Sequence, residues 1–328
     1  MLDNKCLAVD FGLREKSAKG KSDSCVAILM STFNGEKYIA EQLDSILNQT
    51  HKNWVLHISD DGSVDQTIAI LNKYSDIFPV GKFFFHTGPS LGFAQNFLTL
   101  VRSADVVADY YAFCDQDDIW LSDKIERALD FVGAEDQSRP LLYCSRTRLV
   151  DEGGSPFGFS TLFLREPGFG NALVQSLAGA NTMLFNGTAR ELLRRVPSTA
   201  EVISHDWLVY MITSGCGGKV FYDSEPRIYY RQHENNLVGA NAGLGEKLKR
   251  LFRLIGGDFR RWNNSNLTVL SFVDGQLIES SCRILSYFNA AREARGLKRV
   301  LLLRKSGVYR QGRLDNVALL VAALIGRV

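Results

Sequence analysis

From residue 25 to residue 115, short apolar runs alternate with segments of helical period, and three of the four runs lead straight into a polar cluster. Residues 25–30 are apolar and stop at Ser31-Thr32, as a buried parallel strand does. From Tyr38 onward Ile39, Leu43, Ile46 and Leu47 recur at helical spacing, ending in the polar Asn48-Gln49-Thr50. Residues 54–58 form the second run, followed by the turn Asp60-Asp61-Gly62-Ser63. Asp65 is placed to cap a helix carrying Ile68, Leu71 and Tyr74. Residues 83–86 predict a third strand, 93–101 a helix and 110–114 a fourth strand that runs into Asp115. This alternation predicts βαβ units, a mainly parallel sheet and right-handed crossovers. Ligands of such sheets bind beyond the carboxyl ends of the strands. The motifs Ser31-Thr32-Phe33-Asn34, Ser59-Asp60-Asp61-Gly62-Ser63 and Asp115-Gln116-Asp117-Asp118 are therefore expected to meet at one edge.

Beyond residue 120 the pattern loosens. Strands are expected over 141–146, 182–185, 219–222 and 227–230, and a helix starting over 206–212. After Asn236 the composition turns to long Arg-rich helical patterns, which sets a boundary near Gly239. Three parts result: a polar, flexible leader over 1–24, an α/β domain over 25–239, and a basic amphipathic helical region over 240–328. Residues 1–239 carry 22 Lys and Arg against 30 Asp and Glu, and residues 240–328 carry 16 against 6. The acidic part suits a cation and the basic part suits phosphates or an anionic membrane. In the basic part Leu244, Leu248, Leu251, Ile255, Phe259 and Trp262 make an apolar stripe, interrupted by Gly256-Gly257. It fits a helix lying on an anionic membrane, or one packed on the domain or on a second subunit in a homodimer. Nucleic acid is not expected as a partner.

The six cysteines are scattered without a CxxC pair or a Cys/His cluster, which predicts reduced thiols and a cytoplasmic setting. The first 24 residues lack the apolar core of a signal peptide. The longest apolar run, 317–325, is far too short to span a bilayer, so membrane contact is expected to be peripheral.

Three carboxylates within Asp115-Gln116-Asp117-Asp118 repel one another, and a hard cation such as Mg²⁺ or Mn²⁺ bridging to a diphosphate would hold them together. A solvated acidic turn, or a helix N-cap by Asp118 or Ser122, is the plainer alternative. In the turn after the second run a carboxylate can accept from a base N–H or a ribose hydroxyl, while Gly62 permits the sharp bend; a simple turn is again the alternative. Gly92 opens a helix whose N-terminus could face phosphate, and Asp206, in Ser204-His205-Asp206-Trp207, is either a general base or another N-cap.

Taken together, residues 26–36, Asp60-Asp61-Gly62-Ser63-Val64-Asp65, Asp115-Gln116-Asp117-Asp118 and His205-Asp206 resemble, in this order over about 215 residues, the inverting family 2 glycosyltransferases of the GT-A fold. That resemblance implies an α/β, Rossmann-like nucleotide-diphospho-sugar transferase domain with a mainly parallel central sheet. Residues 113–120 and 230–236 look most like bacterial rhamnosyltransferases of polysaccharide assembly, which implies dTDP-L-rhamnose as donor. By the same resemblance Thr32, Asn34 and Glu36 line the nucleotide pocket, and Asp60 and Asp61 touch base and ribose. Asp115 and Asp117 face the donor phosphates, with Asp117 and Asp118 nearest the metal. Asp206 is the catalytic base. Arg231 and His233 sit by the diphosphate, His233 as a further metal ligand. A processive enzyme of the family carries Gln-x-x-Arg-Trp where Arg231-Gln232-His233 stands, so threading of a polymer through a membrane is not expected. The implied reaction is a single displacement onto a saccharide or lipid-linked saccharide hydroxyl. A nucleotidyltransferase would begin with a Gly-rich loop holding a basic residue, which Ser31-Thr32-Phe33-Asn34-Gly35 lacks. A non-catalytic scaffold would lack the acidic cluster or the base.

Overall fold

The computed structural model describes residues 20–233 and 258–328. Residues 1–19 of the 1–24 leader, the boundary near Gly239 and the stripe residues Leu244, Leu248, Leu251 and Ile255 lie outside them.

Among the described residues the strands are β1 (Val26–Thr32), β2 (Trp54–Asp60), β3 (Phe83–Thr87), β4 (Tyr110–Cys114), β5 (Ile119–Trp120), β6 (Leu141–Ser145), β7 (Arg148–Val150), β8 (Pro156–Phe159), β9 (Leu184–Asn186), β10 (Lys219–Asp223) and β11 (Ile228–Arg231). Seven make the main sheet in the order β10-β6-β9-β4-β1-β2-β3. Every recorded pairing in it is parallel except those of β9, which runs antiparallel between β4 and β6. The parallel sheet expected from the βαβ pattern is thus present, with one reversed strand. β1 lies at the centre and its first five residues are buried on both faces, which is why it reads as an unbroken apolar run.

The helices are α1 (Ile39–Leu47), α2 (Thr67–Ile77), α3 (Phe93–Arg102), α4 (Lys124–Val132), α5 (Phe169–Ala172), α6 (Gly187–Arg194) and α7 (His205–Gly215), then α8 (Asp258–Leu270), α9 (Glu279–Glu293), α10 (Gly296–Ser306) and α11 (Arg313–Leu324). Alternate β1 side chains divide the core. Val26, Ile28 and Met30 pack with α1, α2 and α4, whereas Ala27 and Leu29 pack with α3 and α5–α7. The second cluster continues through Phe259, Leu270, Phe288, Leu303 and Ala322, so the C-terminal helices share the core on that face of the main sheet. This corrects the membrane-facing stripe at its described end: Phe259 is buried, and Trp262 packs edge-on to Trp207 at 6.4 Å.

The remaining strands form a second sheet in the order β5-β11-β7-β8. Of these only β11 is anticipated by the sequence. This sheet brings the residues after β4 beside residues 228–231: Ile119 pairs with Tyr229 and Trp120 with Ile228.

Candidate active site

The loops after β1 and β2 are tied together by side chains bonding to main chain. Asn34 takes φ of 48°, a left-handed conformation Asn tolerates better than most residues, and its N–H donates to Ser63 Oγ at 2.8 Å. Its own Oδ1 accepts from Val64 N at 2.9 Å, and Glu36 Oε2 accepts from Gln66 N at 2.8 Å. Asp65 receives Glu36 N at 3.0 Å and Thr67 N at 2.9 Å. Burial is the largest influence on Asp65 and pushes its pKa up, but the hydrogen bonds from Thr67 and Glu36 together outweigh it and hold the carboxyl below its usual range.

Asp60 is buried and accepts four hydrogen bonds: Gly62 N (3.1 Å) and Ser63 N (2.8 Å) on Oδ1, Thr32 Oγ1 (2.8 Å) and Ser63 Oγ (2.5 Å) on Oδ2. A carboxylate offers about four acceptor sites, so none is left for a base or ribose. Asp60 and the buried Thr32 thus organise the turn, where the resemblance implied nucleotide contact. Asp61 keeps capacity: half-buried, it accepts Ser90 N at 2.7 Å and Gly92 N at 2.9 Å. Gly92, with φ of 84°, gives its own N–H to Asp61.

The third loop joins the first through Gln116, whose Oε1 accepts Phe33 N at 2.9 Å and whose Nε2 donates to Phe33 O at 3.0 Å. A Cβ at residue 35 would lie 2.4 Å from Gln116 Oε1, so any larger residue there would displace that amide. Asp118 is fully buried. Its oxygens accept Asn181 Nδ2 at 2.6 Å and Arg231 N at 3.1 Å, and the N-cap of α4 is Asp123, not Asp118. Burial, then Asp117 and Asp115, raise its pKa well above normal. Arg231 is likewise inside. Its guanidinium donates to Asp117 O at 3.1 Å, Glu152 O at 2.6 Å and Glu41 Oε2 at 2.6 Å and lies over the Tyr38 ring. It braces the backbone of Asp117, with its guanidinium bonds directed to protein groups.

Asp115, Asp117, Asp206 and His233 remain on the half-buried edge. His233 Nε2 is 2.9 Å from Asp117 Oδ2, and its ring stacks on Tyr38 at 5.0 Å. Burial, then the carboxylates of Asp117 and Asp206, push Asp115 up to about 8. Asp206 lies in the first turn of α7; the N-cap position belongs to Ser204. Its Oδ1 accepts Ser204 Oγ and Trp207 N, the latter at 2.7 Å, and Oδ2 accepts Ser176 Oγ at 3.3 Å. Burial outweighs these bonds and raises its pKa. Below the cluster Lys124 is buried over the Trp120 ring at 3.7 Å; burial lowers it to about 8, against the opposing pull of Cys114, Asp118 and Asp115. His205 is buried with neither ring nitrogen hydrogen-bonded and stacks on Phe97 at 4.1 Å; burial pushes it down to about 3.

Residues 27–152 match the family described as Glycosyl transferase family 2. The dTDP-rhamnosyl transferase RfbG of Shigella flexneri is 32% identical over 266 residues, 76% of this chain and 88% of that protein. The chain belongs to glycosyltransferase family 2. The glycosyltransferase is also 32% identical over 108 residues, 33% of its length and 41% of the other's, to the putative teichuronic acid biosynthesis glycosyltransferase TuaG of Bacillus subtilis. In fold it is similar to S. aureus TarS 1-349 in complex with UDP-GlcNAc, with a TM-score of 0.51 at 18% identity, covering 87% of this chain and 92% of that one.

Among the described residues of the glycosyltransferase no three His, Cys, Asp or Glu side chains gather as a metal cage. The Asp117–His233 pair nonetheless fits a hard cation that takes one or two protein ligands and completes its sphere with donor phosphates and water. Gln116, Asn181, Glu41, Tyr38 and Lys124 all shape this edge and were not singled out from sequence. Gln116 lies inside a recognised motif, but Asn181 and Glu41 carry no local signal.

Proposed function

We propose that this glycosyltransferase transfers L-rhamnose from dTDP-L-rhamnose to a hydroxyl of a saccharide or lipid-linked saccharide, inverting the anomeric centre with the aid of Mg²⁺ or Mn²⁺. The observation that carries the reading is the convergence of Asp115, Asp117, Asp206 and His233 at the carboxyl edge of the sheet. Identity over most of the chain to a dTDP-rhamnosyl transferase supports the donor, and the name of TuaG supports a role in surface polysaccharide synthesis. Residues 25–239 act as the catalytic domain and 240–328 as its basic helical appendage, in the cytoplasm with the nucleotide donor.

In this reading Asp61 accepts from base or ribose, with Asn34 and Glu36 at the rim of the nucleotide pocket, and Asp115 faces the donor. Asp117 and His233 hold the cation, which when bound stabilises the charge on the departing diphosphate. Asp206 takes the proton from the acceptor hydroxyl as its oxygen attacks the anomeric carbon opposite the leaving group. A raised pKa suits that task, because a base nearer neutrality binds the proton more strongly.

The test is a panel of sugar nucleotides read by released nucleoside diphosphate, with and without chelator. Release of dTDP from dTDP-rhamnose, lost on chelation and restored by Mn²⁺, is expected, and Asp117→Asn should abolish it. Turnover of another donor in its place overturns the donor assignment. Equal metal-dependent affinity for dTDP in Asp117→Asn and wild type, by calorimetry, overturns the metal assignment.

A further inference from the structure

α11 is aliphatic from Val317 to its end, yet only one side of it is covered. Leu319, Ala322 and Ala323 are buried in the core shared with the sheet. Leu314, Val317, Val321 and Leu324, spaced 3, 4 and 3 residues apart on one stripe, are 84, 58, 47 and 48% exposed, and Ile325 beyond them is 51% exposed. Between residues 313 and 327 every exposed side chain is either aliphatic or arginine, the arginines being Arg313 and Arg327 at the two ends. A single exposed Leu is ordinary. A continuous stripe with no polar residue in it marks a surface that something else covers.

The charge around the stripe identifies the covering chemistry. Residues 296–328 carry seven Lys and Arg against the one acid, Asp315; Arg299 and Arg310 donate to backbone carbonyls, and Lys298, Arg304, Lys305, Arg313 and Arg327 are exposed. A second copy laid stripe to stripe would set two such basic regions against each other, because a two-fold contact pairs each patch with itself. An anionic bilayer offers the complement to both features: an acyl boundary for the aliphatic side chains and phosphates for the arginines. Among the described residues no helix is long and apolar enough to cross a membrane, so the contact is one of lying on the surface.

We propose that α11 docks on an anionic lipid surface, with Leu314, Val317, Val321 and Leu324 entering the headgroup boundary and Arg313 and Arg327 on lipid phosphates. The surface rests on these residues; its use, to meet a lipid-linked acceptor, rests on the proposed function.

The test sediments the full chain with vesicles of phosphatidylcholine alone and with vesicles containing phosphatidylglycerol, at low and high salt. Binding to the anionic vesicles at low salt is expected, with partition at least about tenfold weaker for Val317→Asp/Val321→Asp, since two aliphatic side chains would no longer be buried. Leu314→Gln/Leu324→Gln reads the same stripe with a milder change, and Arg313→Glu/Arg327→Glu should weaken binding at low salt only. Melting temperature and vesicle-free nucleotide release, followed on the same preparations, should match wild type, because α11 holds no site residue. Wild type that ignores anionic vesicles, or stripe variants that bind as wild type does, overturn the proposal. So does a wild-type dimer that the stripe variants dissolve without any vesicle binding, which would make a second copy the occupant. Vesicle binding with no nucleotide release from any donor would count against the proposed function and in favour of the docking surface.

Discussion

Two groups of acids occupy the same edge of the sheet and are held in opposite ways. In the loops after β1 and β2, donors win: Asp60 accepts four hydrogen bonds, Asp61 binds two backbone N–H groups, and Asp65 is held below its usual pKa by Thr67 and Glu36. In the residues after β4 and at the start of α7, burial and neighbouring charge win, and Asp115 is pushed up to about 8 while Asp206 rises as well. The first group builds a scaffold that exists without ligand. The second is held against burial and mutual repulsion, which on the proposed function a cation, or a proton arriving from the acceptor, would relieve. An acidic motif therefore does not by itself mark a ligand site; what separates the two groups is whether the donors the fold supplies outweigh burial and neighbouring charge.

The largest expected effect strikes the second group without touching stability. Asp206→Asn retains the shape but cannot take up a proton, so the transfer rate should fall by roughly 10²- to 10⁴-fold. Donor affinity should hold, and the melting temperature should not drop, because a carboxylate that burial disfavours has been replaced by a neutral amide. Transfer within a few-fold of wild type, from a mutant that melts and binds donor normally, would remove Asp206 from the mechanism.

The first group should give the reverse signature. Asp60→Ala strands the Thr32 and Ser63 hydroxyls and two backbone N–H groups, at a cost of about 2 to 3 kcal/mol in urea unfolding. An unchanged unfolding midpoint would show that the turn does not depend on its carboxylate, and the contrast between the two groups would fail.

The smallest effect belongs to His205, which sits between the groups: it precedes Asp206 and packs on Phe93 and Phe97 of α3, the helix entered from the loop that Asp61 holds. Burial pushes its pKa from 6.5 to about 3 in the folded protein. Between those values the unfolded chain carries a proton that the folded one does not, so stability is lost as pH falls from about 6.5, by about 1.4 kcal/mol per unit. His205→Phe should make the decline between pH 6 and pH 5 shallower by about that amount. Parallel declines in mutant and wild type would mean that the ring is not neutral in the fold.

The main sheet is legible in the sequence because its strands are buried runs, and the polar residues that follow them announce the edge. The second sheet is not. β5, β7 and β8 are two to four residues long, too short to display alternation, and β8 contains Pro156 and Gly158. At the site, sequence locates the acids but not their donors. Asp118 and Asp117 are near neighbours in one motif, yet Asn181 and Arg231, 63 and 113 positions away, take up Asp118 alone. The stripe that includes Phe259 and Trp262 likewise leaves open in sequence whether it meets a membrane, the α/β domain or a second subunit, and the fold packs these two residues on the α/β domain.

Asp117 and His233 meet across 116 positions of chain, and the strand pairing that brings them together closes a loop of similar length. Closing so long a loop costs entropy that only the finished second sheet repays. During synthesis the loops after β1 and β2 can form once α3 and β4 have emerged, but the Asp117–His233 pair cannot exist before residue 233 leaves the ribosome. On the proposed function, a nascent chain would thus be a sugar-nucleotide pocket before it is an enzyme, and competence for metal would arrive in one late step.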